Sequence, residues 1–129
     1  MRYLLDTHTL LWMRAGNPRL SRERWEPVFF DPSNEVFFSP VSLWEISIKR
    51  SLGKLSLEGS LGDFALSLRE SYGFAMLPLE VPHISRLESL PHHHGDPFDR
   101  LLIAQAIESG AIAITDDAIW KKYKVKIRW

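Results

Sequence analysis

The sequence predicts an α/β fold, with one three-layer α/β/α domain over residues 1–129 built on a central parallel sheet of four to five strands. Three observations predict it. Short apolar runs of β type alternate with stretches of helical periodicity, the order that produces parallel strands covered by helices on both faces. Turn-forming glycines and prolines punctuate the seams between these runs. The chain has 129 residues, 45% hydrophobic and 25% charged, which suits one core, since domains commonly hold about 100–150 residues. No internal repeat or low-complexity linker divides it.

Tyr3-Leu4-Leu5 opens the chain as a short buried strand, and helical patterns follow over Thr7 to Arg14 and Ser21 to Phe30. Glu35-Val36-Phe37-Phe38 is a second strand, bounded by Pro32-Ser33-Asn34 and Ser39-Pro40. The helices Val41 to Leu52 and Leu61 to Tyr72 end at Gly53 and Gly73, residues suited to helix termination. Ala75-Met76-Leu77 is a weaker strand stopped by Pro78, and Pro82 to Leu90 is a shorter helix. Pro97 to Ser109 carries the clearest apolar stripe, and Gly110 separates it from the strand Ala111 to Ile114. A last short helix over Asp117 to Tyr123 leads to Val125-Lys126-Ile127, whose alternation marks a sheet edge.

Composition narrows the function classes. The chain has no cysteine, which excludes a disulfide framework and a thiolate zinc site and is compatible with a cytoplasmic location. Asp6 interrupts the N-terminal apolar run, so it does not read as a signal peptide, and no window is apolar enough for a membrane span. Sixteen basic and sixteen acidic residues leave a formal net charge of zero, which argues against a purely electrostatic nucleic-acid clamp. The charge is uneven, because Lys121, Lys122, Lys124, Lys126 and Arg128 crowd the C-terminus. A solvated helix and edge strand accounts for them.

The acidic residues are more informative. In an open parallel sheet, ligands bind beyond the carboxyl ends of the strands. Asp6 directly follows the first strand and Asp116-Asp117 follow the fourth, while Glu45 and Asp99 lie early in two helices. Asp6 is equally placed to cap the helix starting at Thr7. Glu45 could close a capping box with Ser42, but Pro40 suits the first helical position, Ser39 then becomes the cap, and Glu45 falls far in, which weakens the capping reading. Asp96, before Pro97, has a capping role of its own, whereas Asp99 sits at the third helical position. Of Asp116 and Asp117, one can cap the last helix while the other faces the crevice. Carboxylates gathered in one place need a cation, and all-oxygen donors suit Mg²⁺ or Mn²⁺. Such sites are suited to phosphodiester cleavage.

The segments Leu4-Leu5-Asp6-Thr7-His8, Trp44-Glu45-Ile46-Ser47, His93 to Ala106 and Thr115-Asp116-Asp117 resemble PIN-domain proteins, in particular the VapC-like toxins of bacterial and archaeal toxin–antitoxin pairs. The run from Asp96 to Ala106 is the most specific part, and the resemblance extends almost from Met1 to Trp129. It implies a Rossmann-like sheet, a magnesium- or manganese-dependent endoribonuclease acting on RNA, a cognate antitoxin and frequently a homodimer. Asp6, Glu45, Asp99 and Asp117 match the family's acidic cluster. By that resemblance Asp6 and Asp99 bind metal directly, Asp117 binds it directly or through water, and Glu45 ligates it or orients the attacking water. Thr115 matches the threonine before the last acid, and the Thr-x-Asp pattern favours Asp117 over Asp116.

Arg100 is a further candidate, as a phosphate or carboxylate partner beside Asp99. His92-His93-His94 is read as a helix-entry loop, because three consecutive side chains cannot face one ion, although one of them suits an RNA phosphate. Trp25 and Trp120 fit core packing, and Trp12 and Trp44 fit either the core or an apolar groove for an antitoxin or a second copy. Two rival readings remain: a catalytically inactive PIN-fold binding module, and a receiver-like phospho-acceptor domain.

Overall fold

In the computed structural model, which describes residues 1–129, five parallel strands form one sheet in the order β3-β2-β1-β4-β5. The strands are β1 (Arg2–Leu5), β2 (Glu35–Phe38), β3 (Ala75–Met76), β4 (Ile112–Ile114) and β5 (Ile127–Arg128). Helices α1 (Thr7–Ala15) and α2 (Arg22–Phe29) connect β1 to β2, and α3 (Pro40–Ser51) and α4 (Leu61–Glu70) connect β2 to β3. Helices α5 (Val81–Arg86) and α6 (Pro97–Ser109) lead into β4, and a 3₁₀ turn at Ala118–Lys122 leads into β5. The chain therefore winds outward from β1 in one direction and returns to β4 on its other side. That reversal opens a crevice at the carboxyl ends of β1 and β4.

Alternation along the strands divides the core as a doubly covered sheet requires. Tyr3, Leu5, Val36, Phe38 and Ile114 pack on one face with Leu10, Trp25, Phe29, Ile46, Phe64 and Leu68. Leu4 and Phe37 point to the other face, where Ala106 and Leu77 meet them, and Ala113 packs there with Leu102 and Ile103 of α6. The termini are as the residue types dictate. Ser39 accepts from the Val41 N–H with Pro40 at the first helical position, and Asp96 accepts from the N–H groups of Phe98 and Asp99 ahead of α6. Gly110 ends α6 with φ 66°, a left-handed conformation that glycine adopts without the Cβ clash.

Two C-terminal expectations need correction. The helix expected over Asp117 to Tyr123 is a shorter 3₁₀ turn, and β5 lies at Ile127–Arg128 rather than Val125 to Ile127. Tyr123 is buried and its backbone is extended (φ −92°, ψ 158°), so the turn ends at Lys122. Arg128 Nη1 then donates to the Tyr3 hydroxyl at 2.7 Å, and Trp129 packs on Trp12 and Trp25, which fixes the register.

Candidate metal centre

Asp6 leaves β1 at the crevice and is buried. Its two carboxylate oxygens do different things. Oδ1 accepts from the Thr9 N–H at 2.8 Å, capping α1, while Oδ2 accepts from the Thr115 hydroxyl at 2.6 Å. The capping and crevice roles are thus both present in one side chain. Burial pushes the Asp6 carboxyl above the usual carboxylate range, and the bonds from Thr115 and Thr9 oppose that rise. The same corner is stitched by the Asp6 N–H and the Thr9 hydroxyl, which both donate to the Ile114 carbonyl, at 3.2 and 3.1 Å.

Glu45 projects from α3, which is held to α1 by the Thr7 hydroxyl donating to the Ser42 hydroxyl at 3.0 Å. Its side chain is only 3% exposed, and Oε2 accepts from Lys49 Nζ at 2.6 Å. The other oxygen, Oε1, is buried and has no hydrogen-bond partner. An unpartnered buried carboxylate oxygen is costly unless something charged meets it. The bond to Glu45, reinforced by the charges of Asp96 and Asp99, raises the Lys49 pKa above that of a free lysine despite partial burial.

Asp99 lies in the first turn of α6. Its carboxyl is pushed up to about 6, first by desolvation and then by the negative charge of Asp96, with Asp6 and Glu45 adding to it. Asp6, Glu45, Asp96 and Asp99 therefore share one electrostatic field. His94 opposes the shift: Nε2 lies 3.4 Å from Asp99 Oδ2, and Nδ1 lies 2.7 Å from the Tyr123 hydroxyl. Asp117 joins the group through Thr115, whose hydroxyl accepts from the Asp117 N–H at 3.1 Å while donating to Asp6. Asp117 Oδ1 caps the 3₁₀ turn by accepting from the Ile119 N–H at 3.1 Å, so this acid has a structural role as well. Asp116 is exposed.

The acids fit an all-oxygen cation site in donor chemistry and in the orphaned Glu45 Oε1. As placed, however, no three His, Asp or Glu side chains converge into a ready-made ligand set. The reason is visible in their partners: Thr9 and Thr115, Lys49, His94 and the Ile119 N–H each hold one acid in place.

Arg100 requires correction. It is buried, with Nη1 donating to the Pro91 carbonyl at 2.7 Å and the Tyr123 hydroxyl at 3.3 Å, and Nη2 to the Leu90 carbonyl at 3.2 Å. No carboxylate is among its partners, because one step along a helix turns a side chain by about 100° from its neighbour. Arg100 buttresses the histidine loop. Asp96 is a cap whose charge is felt by both Asp99 and Lys49. Lys49 is the residue beside the acids that sequence reasoning passed over, and His94 was read only as one of three loop histidines. Lys49 was findable, since it stands four residues after Glu45 on one helix face; His94 was hidden among three adjacent histidines. Trp44 is 54% exposed and meets Phe98 edge-on at 4.9 Å on the rim, whereas Trp12 is half-buried against Trp129.

The sequence matches the PIN domain family over residues 3–126. It matches no curated protein. Among solved structures, the chain is similar to one in the crystal structure of VapBC2 from Rickettsia felis bound to a DNA fragment from their promoter, at 14% identity and TM-score 0.76, covering 99% of this chain and 98% of that one. It is also similar to a chain of VapBC-1 from nontypeable Haemophilus influenzae, at 17% identity and TM-score 0.70, covering 99% and 97%. A third likeness is to DNA-bound VapBC from Salmonella typhimurium, at 15% identity and TM-score 0.69, covering 99% and 97%. These are likenesses of fold. No helix of the chain is long and apolar enough to cross a membrane.

Proposed function

The chain belongs to the PIN-domain family, and from that premise we propose that it is a magnesium- or manganese-dependent endoribonuclease, the toxin of a VapBC-like pair, with residues 1–129 working as one domain. The observation that carries the reading is the buried, unpartnered Glu45 Oε1 inside the shared field of Asp6 and Asp99. Asp6, Asp99 and Asp117 would hold the cation, with Glu45 as a fourth carboxylate. What a divalent cation supplies there is Lewis-acid charge on the phosphodiester and a more acidic attacking water.

The remaining work falls to the chain. Thr115 orients Asp6 through Oδ2 and ties Asp117 to the same corner. Hydrolysis adds water across a P–O bond, the water oxygen going to phosphorus and its proton ending on the leaving oxygen; Glu45, where it does not ligate the cation, would orient the attacking water by accepting its hydrogen bond at Oε1. His94 keeps Asp99 turned towards its own ring and is itself held by Tyr123. The same reading carries an antitoxin partner, for which the VapBC complexes that share the fold are the support; a homodimer and a cytoplasmic location come with the family resemblance alone.

One observation favours an inactive binding module instead: no three His, Asp or Glu side chains converge as a ligand set. Family membership sets aside the receiver-like reading. Asp6→Asn separates the two that remain, since asparagine still caps α1 but loses the charge. In an assay on total RNA with Mg²⁺ or Mn²⁺, wild-type cleavage should be abolished by EDTA and reduced about 10³-fold by the substitution. Cleavage by Asp6→Asn at the wild-type rate would overturn the site assignment, and no cleavage by the wild type would favour the binding module.

A further inference from the structure

Lys49 is the one Lys or Arg side chain bonded to any of Asp6, Glu45, Asp99 and Asp117. It leaves α3 one turn after Glu45 and reaches inward, its side chain 36% exposed and its ammonium 2.6 Å from an acid that is 3% exposed. The order, Glu before Lys at a separation of four, is the favourable one on a helix. The ammonium meets only one of the two Glu45 oxygens, leaving Oε1 unpartnered. We propose that Lys49 is an internal counter-cation, holding Glu45 in the metal-free protein and giving way when a divalent cation binds, so that it sets the affinity of the site. This rests on the metal-dependent reading above.

Three features suit the residue to the task. A lysine is a compact point charge on a flexible stem, bonded here to a single oxygen, so it can be displaced; an arginine would grip a carboxylate through two parallel bonds. Its partial exposure gives the released ammonium a route to water. Without it, a buried Glu45 would lie in the field of Asp99 with no counter-charge of its own, a strongly destabilising arrangement. Such a lysine stabilises the empty site and opposes the filled one. A lysine with a purely structural role would favour both.

That opposition makes the test one of sign. Mn²⁺ is titrated calorimetrically into the metal-stripped full chain, and the Tm of the metal-free protein is measured alongside. Lys49→Met should lower the metal-free Tm and bind Mn²⁺ about tenfold more tightly or better, because a like charge has been removed from beside the ion. Lys49→Arg should fold and bind Mn²⁺ several-fold more weakly, which keeps the proposal testable should the methionine variant fail to fold. Equal or weaker binding by Lys49→Met, or unchanged or tighter binding by Lys49→Arg, would overturn the proposal while the metal site stood. Absence of Mn²⁺ binding by the wild type would overturn the metal site itself, and this role with it.

Discussion

The aromatic face under α2 and the acidic mouth at the ends of β1 and β4 share one sheet, yet they are completed in opposite ways. On the first, Trp25 stacks on Phe29 at 5.8 Å and Phe29 meets Phe74 edge-on at 5.2 Å, so that buried rings partner one another. At the second, a carboxylate oxygen is buried with no partner and Asp99 is held in a field that resists its ionisation. Apolar packing can be closed from within, because dispersion and water exclusion need no counter-charge. A cluster of like charges cannot. The mouth is where folding leaves a buried charge-bearing oxygen without a partner.

Breaking the closed face should give the largest loss of stability. Trp25→Ala empties a site that is 2% exposed and should cost about 3–5 kcal/mol, read as a lower urea midpoint at unchanged m. A loss below about 1 kcal/mol would mean that the face relaxes freely, and the contrast with the mouth would fail.

The mouth should respond in the opposite direction. The Asp99 carboxyl has a folded pKa of about 6, above its ordinary 3.8. A raised acid binds its proton more tightly folded than unfolded, so its contribution is fully present below pH ~4 and is lost as pH rises through about 6. Asp99→Asn removes that penalty. The metal-free variant should match the wild type near pH 4 and exceed it at pH 8 by about 1–2 kcal/mol after solvent screening. Adding Mn²⁺ should then favour the wild type, which keeps the ligand charge. A variant less stable than the wild type at pH 8 without metal would show that Asp99 is held by favourable contacts, not by a conflict of charges.

The same contrast explains what could be read from the sequence. Strands, caps and helices follow from near-neighbour chemistry: Ser39-Pro40, Asp96-Pro97 and Gly110 mark ends that the structure reproduces. The acids Asp6, Glu45 and Asp99 stand out because carboxylates at strand ends and early helical turns are conspicuous. What was not legible depends on partners distant in sequence. Tyr123 receives His94 and Arg100 from 29 and 23 residues away, and Arg100 is further held by the Pro91 and Leu90 carbonyls, away from the acids. No periodicity records such a meeting.

The smallest expected effect tests the joint between the two regions, where Ile114 packs into the closed face and Thr115 turns into the mouth. Thr115→Val conserves shape but removes the hydroxyl that donates to Asp6 Oδ2 and accepts from the Asp117 N–H. Losing a buried donor should cost about 1 kcal/mol in the metal-free protein. A divalent cation would neutralise the same oxygen, so the deficit should narrow as Mn²⁺ is added and the two thermal unfolding curves should converge. A deficit independent of Mn²⁺ would assign Thr115 to the framework alone. Convergence would instead mean that hydroxyl and cation act on one carboxylate, with the threonine holding Asp6 in position until the ion arrives.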